Sequence, residues 1–200
     1  DLIARPIAAY LSNVFGQQFV VENKPGANAN LAAMEVVKAE PDGHTMLFAT
    51  TSQLTINAVL YQMPFDPQKD LAPITQSSMN PSGILAGNHL PVNNVKELVA
   101  YAKANPGKVT YASAGNGSIN HLAGELLAMI TGTKMLHIPT KGGGPALNEL
   151  LGGRIDLFCV SPPVAIPSYK AGKLKILAIS APRRMTQIPD VPTMTEAGIP

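Results

Sequence analysis

Val109-Thr110-Tyr111-Ala112-Ser113-Ala114-Gly115-Asn116-Gly117-Ser118 reads as a strand running into a loop of small, polar and glycine residues. Beyond it, Leu122, Leu126, Met129 and Ile130 recur on one face of a helix. Strand, glycine-bearing loop and helix form the building unit of an open α/β sheet, where ligands gather outside the carboxyl ends of the strands. A helix start presents unpaired N–H groups and a partial positive charge, which suits an anion. Gly115 and Gly117 let the backbone approach a ligand closely, and Ser113, Asn116 and Ser118 can hydrogen-bond to it. The same residues also describe an ordinary turn with Ser118 as helix cap. A dinucleotide fingerprint is excluded, because Gly115-Asn116-Gly117 lacks a third glycine at the required spacing and an acidic partner for a ribose. No Gly-Lys-Ser/Thr follows, so the loop is not a Walker loop either.

Working outward, the same alternation recurs. Downstream the pattern predicts strand Met135–Ile138, helix Gly144–Leu151, strand Ile155–Cys159, helix Pro163–Ala171 and strand Leu174–Ile179. Upstream it predicts a strand over Gly83–Ala86 and an amphipathic helix over Val92–Ala104 that Asn105-Pro106-Gly107 stops. Nearer the start, residues 2–15 and 29–39 read as helices, with Asp1 placed to cap the first and Pro6 a potential kink. Phe19–Glu22, Thr45–Thr50 and Leu71–Gln76 read as strands. Short connections between strands and helices predict a mostly parallel sheet with helices on both faces. The polar break Ser77-Ser78-Met79-Asn80-Pro81 places a domain change at residue 80, giving domains 1–80 and 81–200.

Composition narrows the function classes. Hydrophobic residues make up 46% and charged residues 14%, which suits a globular fold and argues against disorder. A net charge of +2 without a Lys/Arg run, and 10 aromatic residues with no Trp, argue against the basic patch and the stacking platform of a nucleic-acid binder. The single cysteine, Cys159, lies in an apolar run and reads as a buried, inert thiol. His44, His89 and His137 are scattered without a metal-ligand spacing, so neither metal nor cofactor is expected. The chain opens at Asp1 without Met and reads as an interior segment of a longer protein.

Two further turns are candidate ligand contacts. Thr50, Thr51 and Ser52 place three hydroxyls at the end of an expected strand. Lys141 stands in a glycine-rich turn between strand and helix, and Ser161 follows the Ile155–Val160 run. Ser118 and His121, three residues apart at a helix start, also admit a nucleophile–base reading, although no Gly-x-Ser-x-Gly elbow is present.

The succession Val21-Glu22-Asn23-Lys24-Pro25-Gly26, Pro41-Asp42-Gly43-His44, Tyr111–Ser118, His121-Leu122-Ala123-Gly124-Glu125, His137-Ile138-Pro139-Thr140-Lys141-Gly142, Leu151-Gly152-Gly153-Arg154-Ile155-Asp156 and Pro189-Asp190-Val191-Pro192-Thr193 resembles the Bug/TctC substrate-binding proteins along essentially the whole chain. That resemblance implies an α/β fold of the type II periplasmic binding-protein kind, two doubly wound domains joined by hinge strands, with domain I incomplete here. It implies a monomeric, non-enzymatic periplasmic protein that closes around a small organic carboxylate and delivers it to the membrane permease subunits of a tripartite tricarboxylate transporter. A carboxylate sensor signalling to a receptor is the alternative, and a Ser/His hydrolase a further one. By the same matching, Asp1 ends the family's first ligand loop, Thr50, Thr51 and Ser52 fall on the second, and Ser113, Ala114, Gly115, Asn116, Gly117 and Ser118 form the main carboxylate loop. Two positions depart from the common pattern. Thr140 replaces a tyrosine, removing an aromatic wall, and Val160 replaces an aspartate suited to a ligand amine. The second departure favours a simple carboxylate over an acidic amino acid.

Overall fold

The computed structural model describes residues 3–79 and 81–199. The chain divides into two compact units, Asp1–Ala72 and Pro73–Pro200.

The first unit is built from short helices. Helix α1 (Ala4–Phe15) begins later than the periodicity predicts, so Pro6 falls in its first turn, where a missing N–H breaks no intrahelical bond. Its end is set by Gly16 in the left-handed region (φ 64°). The expected cap, Asp1, lies outside the described residues. A 3-10 turn over Ala27–Ala29 leads into α2 (Asn30–Lys38), and a π-helical turn over Ser52–Ile56 leads into α3 (Asn57–Leu60). The runs 19–22, 45–50 and 71–76, predicted as strands, carry no ladder among the described residues. Their composition reports only that they would suit a pleated surface; a strand forms when a neighbour supplies the other half of its hydrogen bonds. Val20 and Ile74 accordingly stay exposed.

The second unit is a three-layer α/β sandwich. Its strands are β1 (Gly83–Gly87), β2 (Thr110–Ser113), β3 (Leu136–Pro139), β4 (Leu157–Val160) and β5 (Leu174–Ile179), in the order β3-β2-β4-β1-β5. β2 pairs in parallel with β3 and β4, whereas β1 runs antiparallel to both β4 and β5. The sheet is therefore mixed rather than mostly parallel. Burial on both faces, which the apolar runs reveal, is shared by strands of either direction, so direction was not legible. Helices α4 (Val95–Ala104), α5 (Ile119–Thr131), α6 (Gly143–Leu151) and α7 (Ile166–Lys170) complete the unit.

Strand alternation sorts the core into two layers. Ile84, Ala86, Tyr111, Leu157 and Cys159 point to one side, where they meet Leu98 and Ala102 of α4 and Leu127 of α5. Leu85, Ala112 and Phe158 point to the other, against Ala146 and Leu150 of α6. Each fully buried Leu, Ile or Phe here contributes about 1.5–3 kcal/mol of hydrophobic stabilisation. The helix starts are fixed by side chains. Asn94 Oδ1 accepts from the Glu97 N–H (2.8 Å) while Glu97 Oε2 accepts from Asn93 N–H (2.7 Å), which delays α4 to Val95. Ser118 Oγ accepts from the His121 N–H (3.3 Å) and starts α5.

Gly124, in the middle of α5, makes room for the ring of Tyr111. A Cβ there would lie 2.3 Å from Tyr111 Cε2 and 2.5 Å from Cδ2. Ring and helix backbone are both rigid in this core, so overpacking outweighs the better helix propensity of alanine. Gly124→Ala is expected to destabilise the protein by about 1–3 kcal/mol, read as a lower denaturant midpoint; an unchanged or raised midpoint would contradict this packing.

Candidate functional site: the carboxyl edge of the parallel strands

β3, β2 and β4 run parallel and end side by side, so the loops that follow them share one edge of the second unit. Cross-links hold these loops in place. The Thr140 N–H donates to the Ser113 carbonyl (3.0 Å), and Thr140 Oγ1 donates to the same carbonyl (2.9 Å) with the Gly142 carbonyl also in range (2.8 Å). Asn120 Nδ2 donates to the Cys159 carbonyl (2.6 Å), tying the first turn of α5 to the end of β4. Residues 113–118, Lys141 and Ser161 are thus brought to one edge. Thr50, Thr51 and Ser52 belong to the first unit.

Within the 113–118 loop the hydroxyls are committed to the loop itself. Ser113 is fully buried. Its Oγ accepts from the Gly115 N–H (3.1 Å), donates to the Gly115 carbonyl (3.0 Å) and lies 2.6 Å from His137 Nε2. One hydroxyl offers one proton and two lone pairs, so these three partners use its whole capacity. Ser118, also buried, caps α5. Gly117 donates its N–H to His121 Nδ1 (3.1 Å). Gly115 (φ 134°) and Gly117 (φ 73°) adopt backbone conformations that a side chain would strain, which explains their identity. Asn116 is exposed at the tip, and Ala114 and Gly115 are half-buried. Lys141 is exposed and Ser161 half-buried.

Beneath the loop lies a cluster that sequence reasoning did not assemble. His121 and His137 stack with ring centroids 4.0 Å apart, and the Tyr111 ring lies 5.0 Å from that of His137. Tyr111 Oη donates to Glu125 Oε1, and His121 Nε2 lies 4.0 Å from the same oxygen. Burial, followed by the bond to Glu125, raises the Tyr111 phenol above its ordinary pKa. Burial, then the neighbouring His121, depresses that of His137. Burial also pushes the Cys159 thiol up to about 12, in keeping with an inert core residue. The one available signal was spacing: Tyr111 and His137 stand at matching places in successive strands, and they are paired in register.

The geometry bears on the nucleophile–base reading. Ser118 Oγ receives the backbone N–H of His121, whose imidazole Nδ1 is engaged by Gly117 instead. Ser113 with His137 has the short distance of such a pair, but the serine is sealed from solvent and its lone pairs are taken. Asp156 is structural. Its Oδ2 accepts from Thr110 N–H (2.7 Å) and Oγ1 (2.8 Å), and its Oδ1 lies 2.9 Å from His89 Nε2. No group of metal-ligating side chains forms among the described residues.

In the first unit the organiser is Gln53, which sequence reasoning passed over. Buried behind the 50–52 loop, it accepts from Thr50 N–H (2.9 Å) and Oγ1 (3.3 Å) through Oε1 and donates from Nε2 to the Ala29 carbonyl (2.9 Å). Thr50 and Thr51 are exposed, and Ser52 is buried. The loop opens a π-helical turn, a deviation often found at functional sites. Ala29 holds φ 68°, a strained conformation for alanine, and Gln53 grips its carbonyl.

The profile of the family described as the tripartite tricarboxylate transporter family receptor matches residues 3–200. The chain belongs to that family. It is 34% identical over 202 residues to protein BugT of Bordetella pertussis, covering all of this chain and 62% of BugT. Among solved structures it is similar to a Rhodopseudomonas palustris protein, Rpa4515, described with adipate (35% identity, TM-score 0.96, all of this chain and 67% of that one). It is also similar to MatC of the same organism, described with bound malate (33% identity, TM-score 0.92, all of this chain and 68% of that one). The family is one of receptors rather than enzymes, and its fold is that of periplasmic binding proteins. The chain spans about three fifths of the length of curated relatives such as BugT.

Two outcomes follow from this loop. Ser113→Ala removes the partner of the Gly115 N–H and of His137, and is expected to cost about 1–3 kcal/mol in the ligand-free protein. Unchanged stability without ligand would show that the hydroxyl does not build the loop. The second outcome concerns acid. His137 has its ordinary pKa of 6.5 in the unfolded chain and a lower one in the fold. Its contribution to stability is therefore complete above about pH 6.5 and declines below it, where the unfolded chain takes up a proton that the folded one refuses, until pH passes the folded pKa. A melting temperature that falls on acidification, with a smaller fall in His137→Gln, is the expected record.

Proposed function

We propose that this chain forms the capturing part of a periplasmic receptor for a small organic carboxylate. The 113–118 loop receives the carboxylate at the start of α5, and closure of the two units around it produces the form that the permease subunits of a tripartite transporter recognise. The observation that carries this reading is the placement of Ala114, Gly115 and Asn116 at the accessible tip of a loop that joins the carboxyl end of β2 to the N-terminus of a 13-residue helix. Oriented backbone amides and the helix dipole favour an anion there without a buried cation. Lys141, Ser161 and the unit-one residues Thr50, Thr51 and Ser52 are proposed as further contacts, as is Asp1. Family members described with adipate and malate support an aliphatic di-acid. Val160 at the end of β4 offers no carboxylate for a ligand amine, which supports a simple acid over an amino acid.

The test is thermal unfolding of the full-length protein, first stripped of carried-over ligand, against malate, adipate, citrate, acetate, glutamate and aspartate. A binder at about 100 times its dissociation constant stabilises by about 2.7 kcal/mol. A di-acid is expected to raise the melting temperature by several degrees, more than glutamate or aspartate does, and Asn116→Ala to diminish the rise. No response to any carboxylate would sink the assignment.

A further inference from the structure

Gly117 commits its N–H to a side chain nitrogen, not to a carbonyl. The acceptor is His121 Nδ1 at 3.1 Å, so Nδ1 carries the lone pair and the ring proton of the neutral imidazole sits on Nε2, the side that faces Glu125 Oε1 at 4.0 Å. On the other flank of the loop, His137 Nε2 lies 2.6 Å from Ser113 Oγ. Two stacked imidazoles therefore support both ends of the 113–118 loop from beneath, one through Ser113 and one through Gly117.

We propose that His121 is a positioning residue for ligand capture: it holds Gly117, and with it the anion-receiving shape of the loop, only while its Nδ1 is unprotonated, so that affinity falls on acidification. This deepens, and rests on, the carboxylate reading of the same loop. A proton on Nδ1 converts the acceptor into a donor aimed at the donor N–H of Gly117. Two donors at that distance repel, and glycine at φ 73° is free to turn its N–H away. The loop then loses the bond that fixes its second glycine.

The groups facing the ring decide whether anything offsets this. From β2, Tyr111 donates a hydrogen bond to Glu125 and keeps its proton, so it stays neutral. From β4, the Cys159 thiol is held neutral by burial. From β3 comes His137, whose ring lies 4.0 Å from that of His121, close enough that one proton on the pair opposes a second. Burial and this neighbour disfavour charge on His137. Glu125, on α5 itself, stands on the Nε2 side, which bears a proton in either state, so its attraction does not restore an acceptor at Nδ1. Protonation thus leaves the loop one acceptor short, whatever charge it adds nearby.

The experiment has two arms, both on the full-length protein. Calorimetric titration with malate and with adipate between about pH 8 and pH 6 follows affinity while these acids stay largely ionised. Weakening of several-fold is expected, up to about tenfold per pH unit for one linked proton. His121→Asn places an amide oxygen where Nδ1 sits; it is expected to bind more tightly than His121→Leu at pH 8 and to show no such pH dependence. The second arm uses no ligand: nitrogen-15 NMR is expected to find the Nε2–H tautomer of His121 and a Gly117 amide signal that titrates with it. Affinity that is flat in the wild type, or equally pH-dependent in His121→Asn, overturns the proposal and leaves the carboxylate reading standing. A Gly117 amide that ignores His121 overturns it as well. Failure of every carboxylate to bind, with Gly117 still following His121, supports the loop coupling and overturns the carboxylate reading instead.

Discussion

Asp156 and Thr110 exchange three hydrogen bonds where β2 and β4 begin. The carboxylate Oδ2 accepts from the threonine N–H and hydroxyl, and the hydroxyl oxygen accepts from the Asp156 N–H (3.0 Å). This clasp allows one register, with Tyr111 opposite Leu157 and Ala112 opposite Phe158. Because side chains alternate across a sheet, a slip of one residue would send Tyr111 into the layer of Phe158 and Ala112 into the layer of Leu98. Everything at the carboxyl edge inherits this choice. With Tyr111 on the α5 side, its ring requires Gly124 to be bare, its hydroxyl reaches Glu125, and Ser113 arrives at the strand end facing His137.

Much of this fold was legible in the chain because period-2 burial and helix caps leave local marks. The strands at 83–87, 136–139 and 174–179 and the helices α5 and α6 were found within a few residues of where they lie. The antiparallel sense of β1 was not legible, since Ile84 and Leu85 are equally apolar whichever way the strand runs. Nor was the absence of a ladder at 19–22 and 45–50: strand propensity is a statement about one segment, and pairing is a property of two. The family was legible in the succession of short motifs, each weak alone, that kept their order along the chain.

The site was legible as a place more than as a set of atoms. Ser113 and Ser118 attract attention because hydroxyls near a helix start can hold an anion, yet one fills its hydrogen-bonding capacity within the loop and the other caps the helix. Gln53 and His137 each hydrogen-bond to one of the two candidate loops, and both went unnoticed as shapers. Their partners, the Ala29 carbonyl and the Ser113 hydroxyl, are 24 residues away in sequence in each case. No local pattern encodes a contact of that range; it emerges only when the strands are set side by side.

The 113–118 loop finds acceptors for two of its own amides, and that bears on what keeps its shape. Buried N–H groups left without acceptors would cost about 1–3 kcal/mol each, so a loop with open amides would be a less stable loop. Here Gly115 gives its N–H to Ser113 and Gly117 gives its N–H to His121. Both acceptors are side chains, Ser113 at the end of β2 and His121 on α5, so the shape of the loop is set by the cluster packed beneath it rather than by the loop's own backbone.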